Sequence, residues 1–325
     1  SDLVRVLPIG CVTKGSEGKE LAEMAELADA GAIGFSDDGH PVWDANIMRQ
    51  ALSYGAGLGL PIINHCEVPE LAQGASMNEG WVATRLGIRG MPNSAEEIMV
   101  ARDISLAELT GGHVHLAHVS TTGTLSLVKE AKRRGVNVTC EVTPHHLTLT
   151  DQLVMGSFEE ENVFDPLSSL AYDTSAKVNP PLRSKEDVYV MAEGLSDGTI
   201  DFIATDHAPH SSVDKMCTFQ EAAFGISVLE TALGSVLKLV HNGSIMLPKL
   251  IAKLTTEPAL FLNSNLGTLQ VGKPADITIF DPNKEWYVDS SKFLSKGKNT
   301  PLNGQYLKGK VKATFLGGQN IYEDS

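Results

Sequence analysis

Apolar residues gather along this chain in short β-branched runs, and between the runs they recur every three or four positions. The runs are RVLPIG at 5–10, GAIGFSDDG at 31–39, LPIINHCE at 60–67, HVHLAHVST at 113–121, VNVTCEVTPHH at 136–146 and TIDFIATDHAPH at 199–210. The intervening stretches GKELAEMAELADAG, ANIMRQALSYGAGLG, SAEEIMVARDISLAELTGG and TLSLVKEAKRRG carry the helical spacing and run into glycine, a common helix stop. Asn93 or Ser94 is placed to cap the helix that begins at AEE. The alternation predicts repeated βα units around a parallel sheet.

Each run carries its polar residues at its C-terminal end, the end that holds the active site in a β/α barrel or an open α/β sheet. Six strands are legible, and a closed (β/α)8 TIM-type barrel, the alternative to an open sheet, would need two more. Helical material continues in SVLETALGSVLKLVHNG and LPKLIAKLTTEPALFL. From about residue 265 the texture changes to strands with glycine turns, GTLQVGKPADITIFD and KGKVKATFLGGQNIY. This divides the chain into a barrel at 1–264 and part of a small β-rich annex at 265–325. Residues 156–175 have little periodicity and read as a loop insertion or lid.

Composition narrows the function classes. The 325 residues carry a net charge of -14, which disfavours broad binding to nucleic acid or to an anionic membrane. A small anionic substrate stays compatible, because a bound metal inverts the local field. No run reaches the roughly 18–20 apolar residues that cross a bilayer. The four cysteines, Cys11, Cys66, Cys140 and Cys217, are far apart and form no CxxC pair. They read as reduced, mostly buried thiols in a cytoplasmic protein.

The strand ends supply the candidate chemistry. Asp37 or Asp38, His65, His118 and Asp206 follow four different runs, and four such ends of one barrel converge at one mouth. Imidazole nitrogen with carboxylate oxygen suits zinc or another divalent transition metal. In HVHLAHVS, His113 and His115 share one strand face and regular alternation puts His118 on the other. His118 is nearer the C-terminal end, so it is the preferred ligand, and His113 and His115 are expected to face outward against helices. His145 and His146 either support a ligand or complete a turn. Asn179 in KVNPPLR is stiffened by the prolines after it, and Arg183 either binds an anion or pairs with Asp187.

Taken together, GFSDDG, INHCE, HLAHVST, VTPHHL, KVNPPLR and ATDHAPH resemble the dihydroorotase family, in the bacterial type that carries an aspartate where others have a carboxylated lysine. GKPADITIFD resembles the C-terminal β segment of the wider cyclic amidohydrolases. The resemblance spans the chain from residue 5 onward. It implies a two-zinc hydrolase that interconverts N-carbamoyl-L-aspartate and L-dihydroorotate in pyrimidine synthesis. By position within the matching motifs, it implies that Asp38 bridges the two metals and that His65 and His118 bind the second. Asp206 is then a ligand of the first metal and the catalytic base. Asn179, His210 and the backbone at Ala223 and Gly225 become substrate contacts. The assemblies it offers are a homodimer or a complex with aspartate carbamoyltransferase.

Three departures accompany the resemblance. The family's first strand ends in an HxH pair and an arginine, and its second supplies an asparagine before a proline. None of these precedes RVLPIG, so the chain is expected to be part of the protein, with two strands, two ligands of the first metal and two substrate contacts missing. Taken alone it should have an open barrel and negligible activity. The second departure is the insertion at 156–175, and the third is Ala223 where the family often has proline. The rival readings are another cyclic amidohydrolase, such as a hydantoinase or dihydropyrimidinase, and a non-catalytic scaffold for the transferase.

Overall fold

The computed structural model describes residues 3–157 and 170–324. Ten strands are formed in these regions. They are β1 (Phe35–Ser36), β2 (Ile62–Asn64), β3 (Met77–Asn78), β4 (Gly90–Met91), β5 (Val114–Leu116), β6 (Val138–Val142), β7 (Phe202–Ile203), β8 (Ile277–Tyr287), β9 (Tyr306–Leu316) and β10 (Gln319–Glu323). A parallel sheet runs in the order β1-β2-β5-β6-β7, with helices Ala45–Leu58, Ser94–Thr110, Thr122–Arg133 and Lys185–Asp197 in its connections. This is the βα alternation expected of a β/α barrel. Strands β8, β9 and β10 make a separate antiparallel sheet, the expected annex.

Register divides the parallel sheet into two faces. Phe35 pairs with Ile62, Ile62 with Val114, Val114 with Val138, and Val142 with Ile203. These residues, with Leu116 and Cys140, join Met48, Leu52, Met99, Ile104, Leu125 and Val128 of the flanking helices in one buried cluster. Burial of that apolar surface is the main force holding helices to sheet. The opposite face carries His115, Thr139, Glu141 and Phe202, in register with one another.

The helical stretches begin and end on local chemistry. The Asp44 side chain accepts from the amides of Asn46 and Ile47, and Gly59 closes that helix at φ 69°. Asn93 stands at the start of the next long helix, but its side chain makes no cap and donates to Asp187 instead.

Several expectations need correction. RVLPIG is not a strand of the described sheet. Only its end reaches β1, where Gly10 bridges Phe35, and the Pro8 carbonyl accepts from Ile33 N–H at 3.0 Å, while Val6 and Ile9 are 69% and 50% exposed. Pro8 lacks an N–H and interrupts the ladder, and Arg5 instead pairs with Asp276 before β8. His113 and His115 do pack on Phe261 of helix Thr256–Phe261, but they lie on the sheet face opposite the flanking helices. Strand β5 stops at Leu116, so alternation does not carry through to His118. Arg183 does not hydrogen-bond Asp187. It is buried and donates to Ser120 Oγ, Asn78 Oδ1 and the Met91 carbonyl, with Glu96 at 3.7 Å. The pair β3–β4, with helix Trp81–Leu86 between its strands, had no counterpart in the reading of the pattern. Most of the insertion lies outside the described residues. Of the thiols, Cys66 and Cys140 are buried, Cys11 is intermediate and Cys217 is exposed, all unpaired.

Candidate metal centre

The parallel strands are only two to five residues long, and the chemistry starts where each stops. Two acids follow β1, and the fold gives them different tasks. Asp37 is buried and accepts from the amides of Val12 and Thr13 at 2.8 and 3.0 Å and from the Thr13 hydroxyl. Its oxygens are used in holding the preceding loop, which leaves Asp38 to face the ends of the other strands. After β2, Asn64 donates to the buried Asp103 at 2.6 Å and accepts from Val42 N–H at 3.0 Å, so the backbone entering His65 is fixed. After β5, His118 has φ 36°, a left-handed conformation uncommon for a side-chain-bearing residue. That turn, with Glu96 gripping Ser120 N–H at 3.0 Å, aims the ring back at His65. Asp206, after β7, is likewise left-handed at φ 46°. Left-handed backbone at side-chain-bearing residues such as these is common at functional sites.

Asp38 Oδ1, His65 Nδ1 and His118 Nε2 form a single group. His65 Nδ1 lies 3.0 Å from His118 Nε2, and Asp38 Oδ1 lies 3.6 Å from the first and 3.3 Å from the second. Tetrahedral donors at the ordinary zinc–nitrogen distance would stand about 3.3 Å apart, so the spacing fits one divalent ion. Electrostatics agree. Hydrogen bonds from His118 and His65 hold the Asp38 carboxyl well below the usual carboxylate range. Burial works against a charge on His65, but the carboxylates of Asp38 and Glu67 outweigh it and raise its pKa to about 9. Acids around an imidazole draw positive charge to this spot, proton or metal alike.

Glu67 is the residue that pattern reading missed. Its signal was present, because side chains two apart in an extended segment share a face. Its Oε2 lies 3.5 Å from His65 Nε2, the nitrogen turned away from the triad, and accepts from Asn179 Nδ2 at 2.8 Å. Asn179 Nδ2 is also 3.2 Å from His65 Nε2, while its Oδ1 is buried without a hydrogen-bond partner. A cavity of about 430 Å³ opens here, lined by Glu67, Ser76, Lys177, Asn179, Gln220 and Phe224 among others.

Asp206 follows β7 and feels the charges of the triad. Burial and the Asp38 charge raise its pKa, against the pull of His118 and His65. His207 points elsewhere: its Nδ1 accepts from Val228 and Leu229 amides at 3.0 and 3.3 Å. His210 Nε2 donates to the Phe224 carbonyl at 2.7 Å. The amides of Ala223 and Gly225 are engaged with the carbonyls of Asp214 and Lys177. What these two residues can still offer a ligand is a second lone pair on each carbonyl. Neither His145 nitrogen has a partner, whereas His146 binds Thr143 Oγ1 at 2.9 Å and the Pro180 carbonyl at 3.0 Å. His146 thus supports the segment that presents Asn179.

The amidohydrolase family model matches residues 12–321. The chain is 52% identical over 322 residues to the dihydroorotase of Pelotomaculum thermopropionicum, covering 99% of this chain and 72% of that protein. The chain belongs to the dihydroorotase family. A second dihydroorotase, from Geobacter sp. strain M21, is 48% identical and is covered to the same 72%. Among solved structures, the L-hydantoinase (dihydropyrimidinase) from Arthrobacter aurescens matches with a TM-score of 0.81 at 25% identity, over 97% of this chain and 69% of that one. A D-hydantoinase matches at 0.77 and 23% identity, covering 66% of its length, a likeness of fold. Membership of the dihydroorotase family and the Asp38–His65–His118 triad make this a metal-dependent hydrolase. Among the described residues no helix is long and apolar enough to cross a membrane.

Proposed function

We propose that the protein is a zinc-dependent dihydroorotase, which opens the ring amide of L-dihydroorotate with water and closes N-carbamoyl-L-aspartate in reverse. The observation that carries this reading is the triad of Asp38, His65 and His118, with Asp206 following another strand of the same sheet. Asp38, His65 and His118 would hold one zinc ion, and Asp38, as the bridge, would share a second with Asp206 and with ligands beyond the residues identified here. Bound zinc lowers the pKa of water and polarises a carbonyl oxygen.

In the hydrolytic direction, a new bond joins the water oxygen to the ring carbonyl carbon. Asp206 takes the water's proton and delivers it to the amide nitrogen as the carbon–nitrogen bond breaks. Cyclisation runs the same steps backward. A raised pKa suits a carboxylate that must both accept and return a proton. Asn179 offers its unpartnered Oδ1 to the substrate, His210 its free ring edge, and the carbonyls of Ala223 and Gly225 face the ring N–H. The boundary between barrel and annex near residue 265, a homodimer or transferase complex, and a cytoplasmic setting belong to the same reading. The four unpaired thiols support a reducing compartment.

The test is turnover of dihydroorotate against hydantoin by zinc-loaded full-length protein, with metal analysis alongside. Dihydroorotate should be strongly preferred and zinc retained. Preference for hydantoin would shift the protein to another cyclic amidohydrolase, and absence of both metal and turnover would make it a scaffold.

A further inference from the structure

The loop between the short helix Ser290–Lys292 and β9 reaches back from the annex to the strand-end loop of β7. It makes three contacts there. The first is between Ser295 Oγ and His207 Nε2, at 3.3 Å. Because His207 Nδ1 accepts two amides, its Nε2 carries the hydrogen and donates to the serine. The second is at Gly297, where a Cβ would sit 2.6 Å from Pro209 Cβ and 2.8 Å from both His210 N and O. Only a residue without a side chain lets the two backbones approach this closely.

The third contact is Asn299, which is buried, with both ends of its amide assigned by backbone groups. Oδ1 accepts from His210 N–H at 2.9 Å and from the Ser227 hydroxyl at 3.0 Å, and Nδ2 donates to the Gly225 carbonyl at 2.9 Å. The Asn299 carbonyl also accepts from Ser227 N–H at 2.8 Å, which anchors its own backbone. One side chain thus spans His210 and Gly225, and neither end can be flipped without setting like against like. Gly225 in turn has no latitude: at φ 137°, a Cβ there would lie 2.6 Å from the Ala208 carbonyl oxygen.

We propose that Asn299 is a positioning residue for the ring substrate, setting the separation between His210 and the Gly225 carbonyl. The inference rests on the functional reading above, in which those two groups contact the substrate. Asn299 acts through them, by consuming one lone pair of the Gly225 carbonyl and directing the other. The annex therefore contributes to substrate recognition while the metal triad, built on β1, β2 and β5, does not depend on it.

Asn299→Ala and Asn299→Asp, assayed in the zinc-loaded full-length protein, test this. In both, KM for dihydroorotate should rise about tenfold or more, with kcat changing less and zinc content unaltered. Asp should be as harmful as Ala despite its matching size, because it sets a carboxylate oxygen against the Gly225 carbonyl. Ser295→Ala, which removes the hydroxyl facing His207 and leaves every bond of the Asn299 amide in place, should keep the wild-type KM. A folded Asn299→Asp with wild-type KM, or a rise in KM matched by loss of zinc in the two Asn299 variants, would overturn the assignment. If Asn299→Ala does not fold, Asn299→Ser carries the same test. A zinc-loaded wild type without dihydroorotate turnover would instead remove the functional reading, and this inference with it.

Discussion

The Nδ1 atom of His65 faces the Nε2 atom of His118 across 3.0 Å, although the two residues lie on different strand ends and are 53 positions apart. Two imidazole nitrogens meet at this distance when a proton or a cation lies between them. The opposite nitrogen of His65 faces Glu67, so the ring is held from both sides.

Glu67 should therefore govern metal affinity more than chemistry. A carboxylate behind a ligating histidine fixes its tautomer and raises its basicity. Glu67→Gln is expected to weaken zinc retention by about 10–100-fold. Competition with a chromophoric chelator measures this directly. Wild-type retention would show that the 3.5 Å approach has no consequence for the ring.

Asp206→Asn should leave the fold and thermal stability close to wild type and reduce kcat by at least about 10²–10⁴-fold, the usual worth of a general base. The amide keeps the shape of the side chain but cannot shuttle the proton. Steady-state kinetics with metal analysis check it, and a variant with near-normal kcat at full zinc loading would end the base assignment.

The buried Arg183 joins three loops, through Ser120, Asn78 and the Met91 carbonyl, beside Glu96. Arg183→Met should destabilise the fold by roughly 3 kcal/mol, since it leaves a buried carboxylate without its cation. Arg183→Lys should recover little, because an ammonium cannot reproduce the fork. Urea midpoints give the measurement, and a midpoint within error of wild type for Arg183→Met is the adverse result.

Acid should destabilise the protein through histidines buried in neutral form. Burial pushes the His146 pKa down to about 3 and that of His145 well below its ordinary value. In the unfolded chain both take up protons near pH 6.5. The unfolded state thus binds more protons throughout the window from about 6.5 to 3, and stability falls as pH falls through it. Neither ring nitrogen of His145 makes a hydrogen bond among the described residues, so His145→Leu should cost little at pH 7 and remove a visible part of the acid sensitivity. Chemical denaturation at pH 7 and pH 5 reads the difference, and an unchanged pH dependence would refute the account.

The sequence by itself determined the alternating βα order, the annex, and the fact that acids and imidazoles stand where strands end. Those are properties of local periodicity and of motif spacing. It also favoured Asp38 over Asp37, for which the structure supplies the reason: Asp37 is used in gripping Val12 and Thr13. Only the tertiary structure decided how His118 reaches the triad, because a single left-handed residue redirects a side chain that strand alternation would send elsewhere. It alone paired Arg183 with the loops behind His118, and it alone carried Asn299 to His210 from 89 positions away. Contacts of this kind leave no period in the chain. They follow from gathering the strand-end loops and laying the annex loop against them, which brings together backbone groups that must find partners once water is excluded.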